Sequence, residues 1–146
     1  MKKFIRLICM LLVFSVFLAV PVYAQTATES RGSAFFASYG TDLYKTSSTS
    51  FQIWFDVDAN AATMQELGAS EIVVYRSADK QSWARMTTYR SSIYSQMIAY
   101  NTGSHIDYVT YGSATSGYYY RACITFYAKN STGIGERDVY TEIIKM

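Results

Sequence analysis

Short stretches in which apolar and polar residues alternate follow one another through most of the chain after residue 32. A period of two places successive side chains on opposite faces of a β-strand. The clearest stretch is SFQIWFDVDA, residues 50–59. One of its faces carries Phe51, Ile53, Phe55 and Val57, and the other carries Gln52, Trp54, Asp56 and Asp58. This alternation predicts a strand with one side in the core and the other towards solvent.

A second alternating stretch covers residues 118–128, within GYYYRACITFYAKNSTG, and predicts a long central strand. The side chains expected to face the core are Tyr118, Tyr120, Ala122, Ile124, Phe126 and Ala128. Those expected to face outwards are Tyr119, Arg121, Cys123, Thr125 and Tyr127. Small and large residues interleave on the inner side, as packed sheets require.

Five shorter stretches predict further strands: residues 33–39, 71–77, 83–90, 105–111 and 137–144. About seven strands at this spacing, with no segment of helix length to build βαβ units, predict an antiparallel all-β sandwich. Residues 62–70 (ATMQELGAS) are expected to form one helical turn, because Thr63 and Glu66 are spaced as a capping box and Gly68 suits a helix end. Residues 91–104 are expected to form an irregular crossover.

Two polar segments predict the turns of hairpins. SADKQS joins the stretches 71–77 and 83–90, and its Asp79 is expected to bond back to the main chain and set the turn. Residues 130–132 (NST) match a glycosylation sequon, but their position between two alternating stretches favours the last hairpin turn.

The first 24 residues have the order of a secretory signal peptide: three basic residues, an apolar run, and a small-residue pattern that ends at Ala24. Cleavage is predicted between Ala24 and Gln25. Residues 25–31 predict a flexible leader, and residues 32–146 a single β-sandwich domain. The expected location is extracellular, with the protein either free or associated with the cell wall.

Removal of the signal peptide changes the charge and the cysteine count. Three of the 13 Lys and Arg residues lie in it and none of the 11 Asp and Glu, so 10 basic residues remain against 11 acidic ones, a formal net charge of −1. A near-neutral surface argues against nucleic acid and membrane as partners. Cys9 leaves with the signal peptide, so Cys123 is expected to be a packing residue or to form an intermolecular disulfide.

Two resemblances carry further expectations. VVYRS followed by a turn and SW, together with YYYRACITFYAKNSTG, resembles the pattern of fibronectin type III modules. It implies an Ig-like or fibronectin III-like sandwich. GSAFFASYGTDLYKTSSTSFQIWFDV, ELGASEIVVYRSADKQSW and the tyrosine-rich strand resemble an uncharacterised family of small secreted proteins from Gram-positive bacteria. That resemblance implies an exported single-domain protein of unknown role.

Candidate chemistry is sparse. His105 and Asp107 would share one face of a strand and could serve a small hydrolase, although no nucleophile turn such as G-x-S-x-G is present. Asp56-x-Asp58-x-Asn60 matches the start of a calcium loop but lacks its later glycine and its final acidic residue. No catalytic residue, metal or cofactor is therefore predicted, and the His105 hydrolase stands as an alternative.

The aromatic residues offer the strongest functional signal, because 13 of the 14 tyrosines lie outside the signal peptide. Tyr119, Arg121 and Tyr127 would share the outer face of the central strand, and Trp54 would add to a binding patch from its own outer face. Cross-strand pairing of the same rings is the competing interpretation. The function predicted is a non-catalytic binding or structural module for a cell-wall glycan or an extracellular protein. A homodimer joined through Cys123 or through strand edges is a further alternative.

Overall fold

The computed structural model describes residues 34–146, which form nine strands and one 3₁₀ turn. The strands are β1 (Phe36–Lys45), β2 (Phe51–Ala59), β3 (Met64–Ser77), β4 (Ala84–Arg90), β5 (Ile98–Thr102), β6 (Ser104–Tyr111), β7 (Tyr119–Asn130), β8 (Gly133–Tyr140) and β9 (Ile144–Lys145). The 3₁₀ turn is Ser95–Met97. The predicted cleavage site at Ala24 and Gln25 and the predicted leader lie outside the described residues.

Two antiparallel sheets pack face to face. The three-stranded sheet has the order β1-β2-β6, and the six-stranded sheet has the order β4-β3-β7-β8, with β5 beside β3 and β9 beside β7. The predicted all-β sandwich is therefore confirmed. Within residues 34–146, no helix has the length and hydropathy needed to cross a membrane.

The core lies between the sheets, where the two alternating stretches meet. All four apolar residues predicted for the inner face of β2 are buried, and so are the predicted inner residues of β7 from Tyr120 to Ala128. Tyr118 is the exception, because it precedes β7 and is only half-buried. The rings of Phe51 and Tyr120 lie 5.4 Å apart across the interface. Burial of this apolar surface is the main stabilising contribution.

Residues 62–70 do not form the helical turn that the capping-box spacing predicted, because β3 begins at Met64 and continues to Ser77. Glu66 does not cap a helix; its carboxylate bonds to Lys129 on β7 at 2.8 Å. Gly68 has a φ of +154°, and a side chain there would overlap the carbonyl oxygen of Met97. The glycine therefore allows a close approach of the crossover that contains Met97, and does not end a helix.

The crossover and the chain end are more regular than predicted. Residues 98–102 of the expected irregular segment form β5, which pairs with β3, and Met97 just before it is fully buried. The last predicted strand is divided into β8 and β9. Thr141 lies between β8 and β9 and satisfies the main-chain groups of Ala122 on β7. Its Oγ1 accepts the Ala122 N–H, and its own N–H donates to the Ala122 carbonyl, both at 2.9 Å.

Both predicted hairpin turns are present. The Asp79 carboxylate accepts the N–H groups of Gln81 at 2.8 Å and Ser82 at 2.9 Å, and also the Ser77 hydroxyl at 2.9 Å. These bonds, led by the one from Ser82, lower the pKa of Asp79. At the other turn, Asn130 Oδ1 accepts the Thr132 N–H at 2.8 Å, so the sequon asparagine closes the β7–β8 hairpin.

Candidate functional site

The outer face of the three-stranded sheet carries a run of aromatic rings, here named the aromatic face: Tyr44 on β1, Trp54 on β2 and Tyr108 on β6. Trp54 and Tyr108 are directly opposite in the ladder and stack with ring centroids 4.7 Å apart and planes 28° apart. Tyr44 meets Trp54 edge to face at 6.2 Å. Tyr44 and Tyr108 remain 52% and 39% exposed, so the run has free aromatic surface at both ends.

Carboxylates surround these rings. Asp42 is opposite Trp54 in the ladder, and Asp56 and Asp58 follow Trp54 on the same side of β2. The outer positions of the three strands are Ser38, Gly40, Asp42, Tyr44, Gln52, Trp54, Asp56, Asp58, Ser104, Ile106, Tyr108 and Thr110. No lysine or arginine is among them. A hydrogen bond to Asp42, with the negative charge of that carboxylate, raises the pKa of the Tyr44 hydroxyl.

A depression of about 260 Å³ opens beside the rings. Its lining includes Gly40, the rings of Trp54 and Tyr44, and the 66% exposed Ile106. A side chain at position 40 would overlap Asp56 Oδ1, so the observed position of the Asp56 carboxylate requires glycine there. Asp42 and Asp56 line the same depression. It thus combines apolar walls with carboxylate acceptors.

The four residues predicted as a binding patch do not lie together. Trp54 is on the three-stranded sheet, while Tyr119, Arg121 and Tyr127 are on β7 of the other sheet. Tyr119 and Arg121 are neighbours on one face, but Tyr127 lies about 20 Å farther along the strand, since it is six positions after Arg121. Period-two alternation fixes the face of a side chain and not the distance between two side chains on it.

The rings around Arg121 are already covered by cations. The Arg121 guanidinium lies 4.2 Å from the Trp83 ring centroid and 4.6 Å from that of Tyr140. The Lys80 ammonium lies 4.6 Å from the Tyr119 ring. Cation–π contacts of this kind are within the effective range of about 6 Å and occupy aromatic surface that a ligand would need for stacking.

His105 points towards the interior from the edge strand β6. Its Nε2 lies 2.9 Å from the Gln96 carbonyl oxygen and its ring packs against Phe55 at 5.7 Å. Asp107 follows two residues later, and its Oδ1 accepts the N–H of Tyr108 at 2.7 Å. The imidazole nitrogen is thus engaged by the main chain, and the hydrolase alternative stays a prediction.

A groove of about 480 Å³ lies beside Asp107, between the edge strands of the two sheets. It is lined by Tyr89, Tyr94, Gln96, Asp107, Tyr108, Val109 and Thr110. The Tyr89 hydroxyl donates to the Thr110 carbonyl at 3.0 Å and joins β4 to β6. Burial raises the pKa of Tyr89 to about 12, so this hydroxyl keeps its proton.

Cys123 lies on the outer face of β7 and is half-buried. Burial, followed by the charge of Asp138, raises the pKa of its thiol, which lowers the thiolate fraction at neutral pH. The Cys123-linked dimer stays a prediction.

The acidic residues that match the start of a calcium loop include Asp58, whose Oδ2 accepts the Ser38 hydroxyl at 2.8 Å. Residues 34–146 contain no group of three or more His, Cys, Asp or Glu that could hold a metal ion.

Sequence reasoning missed five members of the site: Gly40, Asp42, Tyr44, Ile106 and Tyr108. The first strand was expected to end at Tyr39, so no inner or outer face was predicted for residues 40–44. Tyr108 lies in a correctly predicted strand, but the pairing of that strand with β2 has no local signal.

Comparison of the chain with protein-family models, with curated proteins and with solved structures gives no match.

Proposed function

We propose that this protein is a non-catalytic binding module, acting outside the cell or in the cell envelope, that holds a neutral saccharide on the aromatic face. The observation that carries this proposal is the depression beside Gly40, which is lined by the exposed ring of Tyr44, the half-buried ring of Trp54 and two carboxylates. Exposed apolar patches rimmed by polar groups are typical of binding sites. The depression is smaller than the roughly 300–1,000 Å³ pockets that bind drug-sized molecules, and its volume suits a single sugar ring.

The chemistry of the face matches that of a sugar. A pyranose ring has apolar C–H faces that pack on aromatic rings, and its hydroxyls donate hydrogen bonds to carboxylates. Trp54 and Tyr44 supply the rings, and Asp42 and Asp56 supply the acceptors. Because the outer positions of these strands carry only negative charge, an acidic saccharide would be repelled. The face therefore selects against acidic saccharides.

The aromatic face is favoured over the opposite surface because, among residues 34–146, no lysine or arginine lies over its three rings. Around Arg121, by contrast, the faces of Trp83 and Tyr140 are covered by the guanidinium group. A sugar would have to displace that contact, which is worth about 0.5–2 kcal/mol. The four-residue patch predicted from the sequence is accordingly replaced by a site that keeps only Trp54.

The test uses the fact that the chain has two tryptophans. In Trp83→Phe protein, Trp54 is the only tryptophan and reports on the aromatic face. We expect its fluorescence to change on titration with at least one of chitotetraose, maltotetraose and mannotetraose, and not with polygalacturonate. Tyr44→Ala should weaken that binding about fivefold, because the exposed Tyr44 ring lines the depression and one stacked ring contributes about 1 kcal/mol.

Tyr100→Ala is the matched control, since Tyr100 is 66% exposed on β5 and lies outside the aromatic face. Its affinity should equal that of the parent protein. If none of the three oligosaccharides changes Trp54 fluorescence at millimolar concentration, the proposal fails. Equal effects of the Tyr100 and Tyr44 substitutions would also overturn it.

A further inference from the structure

Three cationic side chains lie towards one end of the six-stranded sheet, on the surface opposite the aromatic face. They are Lys80 in the β3–β4 turn, Arg121 on β7 and Lys145 on β9, here named the basic cluster. Arg121 is two positions after Tyr119 on the same face of β7, and both lysines lie over the Tyr119 ring. The Lys80 and Lys145 ammonium groups lie 4.6 and 5.4 Å from the Tyr119 ring centroid, so the two nitrogens are within about 10 Å of each other.

Within residues 34–146, the basic cluster has no carboxylate partner at ion-pair distance. Among residues 34–146, ion pairs join Glu71 to Arg85 and Arg90, and Glu66 to Lys129, but none involves a member of the cluster. Asp79 is next to Lys80 in the sequence, yet its Oδ1 accepts bonds from the turn itself. Unpaired like charges brought close together repel one another, so this arrangement favours a bound anion.

Arg121 adds a second observation. Its Nε is buried and finds no hydrogen-bond partner within the described part of the chain. The guanidinium is held by ring contacts alone, at 4.2 Å from Trp83, 4.6 Å from Tyr140 and 5.9 Å from Tyr75. These contacts fix the plane of the group while leaving its charge without a counter-ion. A fixed guanidinium is pre-organised for an oxyanion, because little of its freedom remains to be lost.

We propose that the basic cluster binds a phosphate group. A planar guanidinium offers parallel N–H donors to two oxygens of a phosphate, and two ammonium groups on flexible stems reach the remaining oxygens. Lys80 and Lys145 are exposed and Arg121 is half-buried, so the ligand approaches from solvent. The cluster lies on a different sheet from the aromatic face, and this site is independent of saccharide binding.

The experiment uses Trp54→Phe protein, in which Trp83 beside Arg121 is the only tryptophan. Inorganic phosphate, dimethyl phosphate and acetate are titrated at constant ionic strength, with Trp83 fluorescence and the thermal midpoint as readouts. Either phosphate compound should shift both readouts, since a ligand that binds only the folded state raises its midpoint. Tighter binding of inorganic phosphate assigns the site to the free ion, and tighter binding of dimethyl phosphate to an ester; both results support a phosphate site.

Lys80→Ala and Lys145→Ala should each weaken binding about five- to tenfold, and the double variant more than 30-fold. These side chains are exposed, so both variants should fold. Lys129→Ala is the control, because Lys129 lies on the same sheet but is paired with Glu66; its affinity should stay within twofold of the parent. The proposal fails if neither phosphate compound shifts the readouts, if acetate binds as tightly, or if Lys129→Ala weakens binding as much as Lys80→Ala.

Discussion

Ile124 lies at the centre of the interface between the sheets, so its truncation to alanine tests how the sandwich is held together. The side chain is fully buried, and so are Ala122 and Phe126, which precede and follow it on the same face of β7. Loss of a buried isoleucine to alanine costs about 2–5 kcal/mol, because the removed groups leave a cavity that the sheets only partly fill. We expect Ile124→Ala to lower the free energy of unfolding by about 3 kcal/mol.

This loss converts into a measurable temperature. The described part of the chain, residues 34–146, has 113 residues. An unfolding entropy of about 2.1 cal/mol/K per residue then makes 1 kcal/mol equivalent to about 4 °C, so the thermal midpoint should fall by about 12 °C. Urea unfolding followed by tryptophan fluorescence gives the free energy independently, and the slope against urea concentration should be unchanged.

Thr125→Ala is the matched control because Thr125 is the next residue on the same strand and faces outwards. Its hydroxyl donates to Asp138 at 2.7 Å in an exposed position, so its loss should cost no more than about 1 kcal/mol. If Thr125→Ala destabilises as much as Ile124→Ala, the assignment of inner and outer faces on β7 is wrong.

Two further predictions concern the turns and close contacts. Gly68→Ala should destabilise by more than about 2 kcal/mol in urea unfolding, since positive φ and overlap with Met97 both oppose a side chain; a loss below about 1 kcal/mol would contradict this. The turn N–H groups lower the pKa of Asp79, so its stabilising contribution is complete above the unfolded pKa of about 3.9 and is lost as pH falls through the lower folded-state pKa. Between about pH 4 and pH 2, the thermal midpoint of the Asp79→Ala protein should therefore fall by less than that of the parent protein. An equal fall in both proteins would refute this stabilising role of Asp79.

The parts of the fold that could be predicted are those in which one physical cause dominates. On β2 and β7 the apolar face is buried against the opposite sheet, so the period-two pattern shows directly which side is inside. The Asp79 turn was also predictable, because its bonds are made within a few residues.

The missed parts depend on contacts distant in sequence. Thr63 and Glu66 have the spacing of a helix start, but Lys129 on β7 pairs with Glu66, and Met64 and Leu67 are buried. The aromatic face depends on the order β1-β2-β6, which brings Tyr108 beside Trp54. Strand order follows from packing of the whole domain, so no local pattern of residues could have placed these two rings together.

The bond from the Tyr89 hydroxyl to the Thr110 carbonyl bears on how the sandwich avoids polymerisation. β6 is an edge strand of its sheet, and the main-chain groups of an edge strand are a template on which another chain can add. Tyr89 occupies one of these acceptors from the neighbouring sheet and places a bulky ring against the border. Because the pKa of the Tyr89 hydroxyl is raised to about 12, the hydroxyl keeps its proton in moderately alkaline solution. The hydrogen bond that covers the β6 edge is therefore retained there.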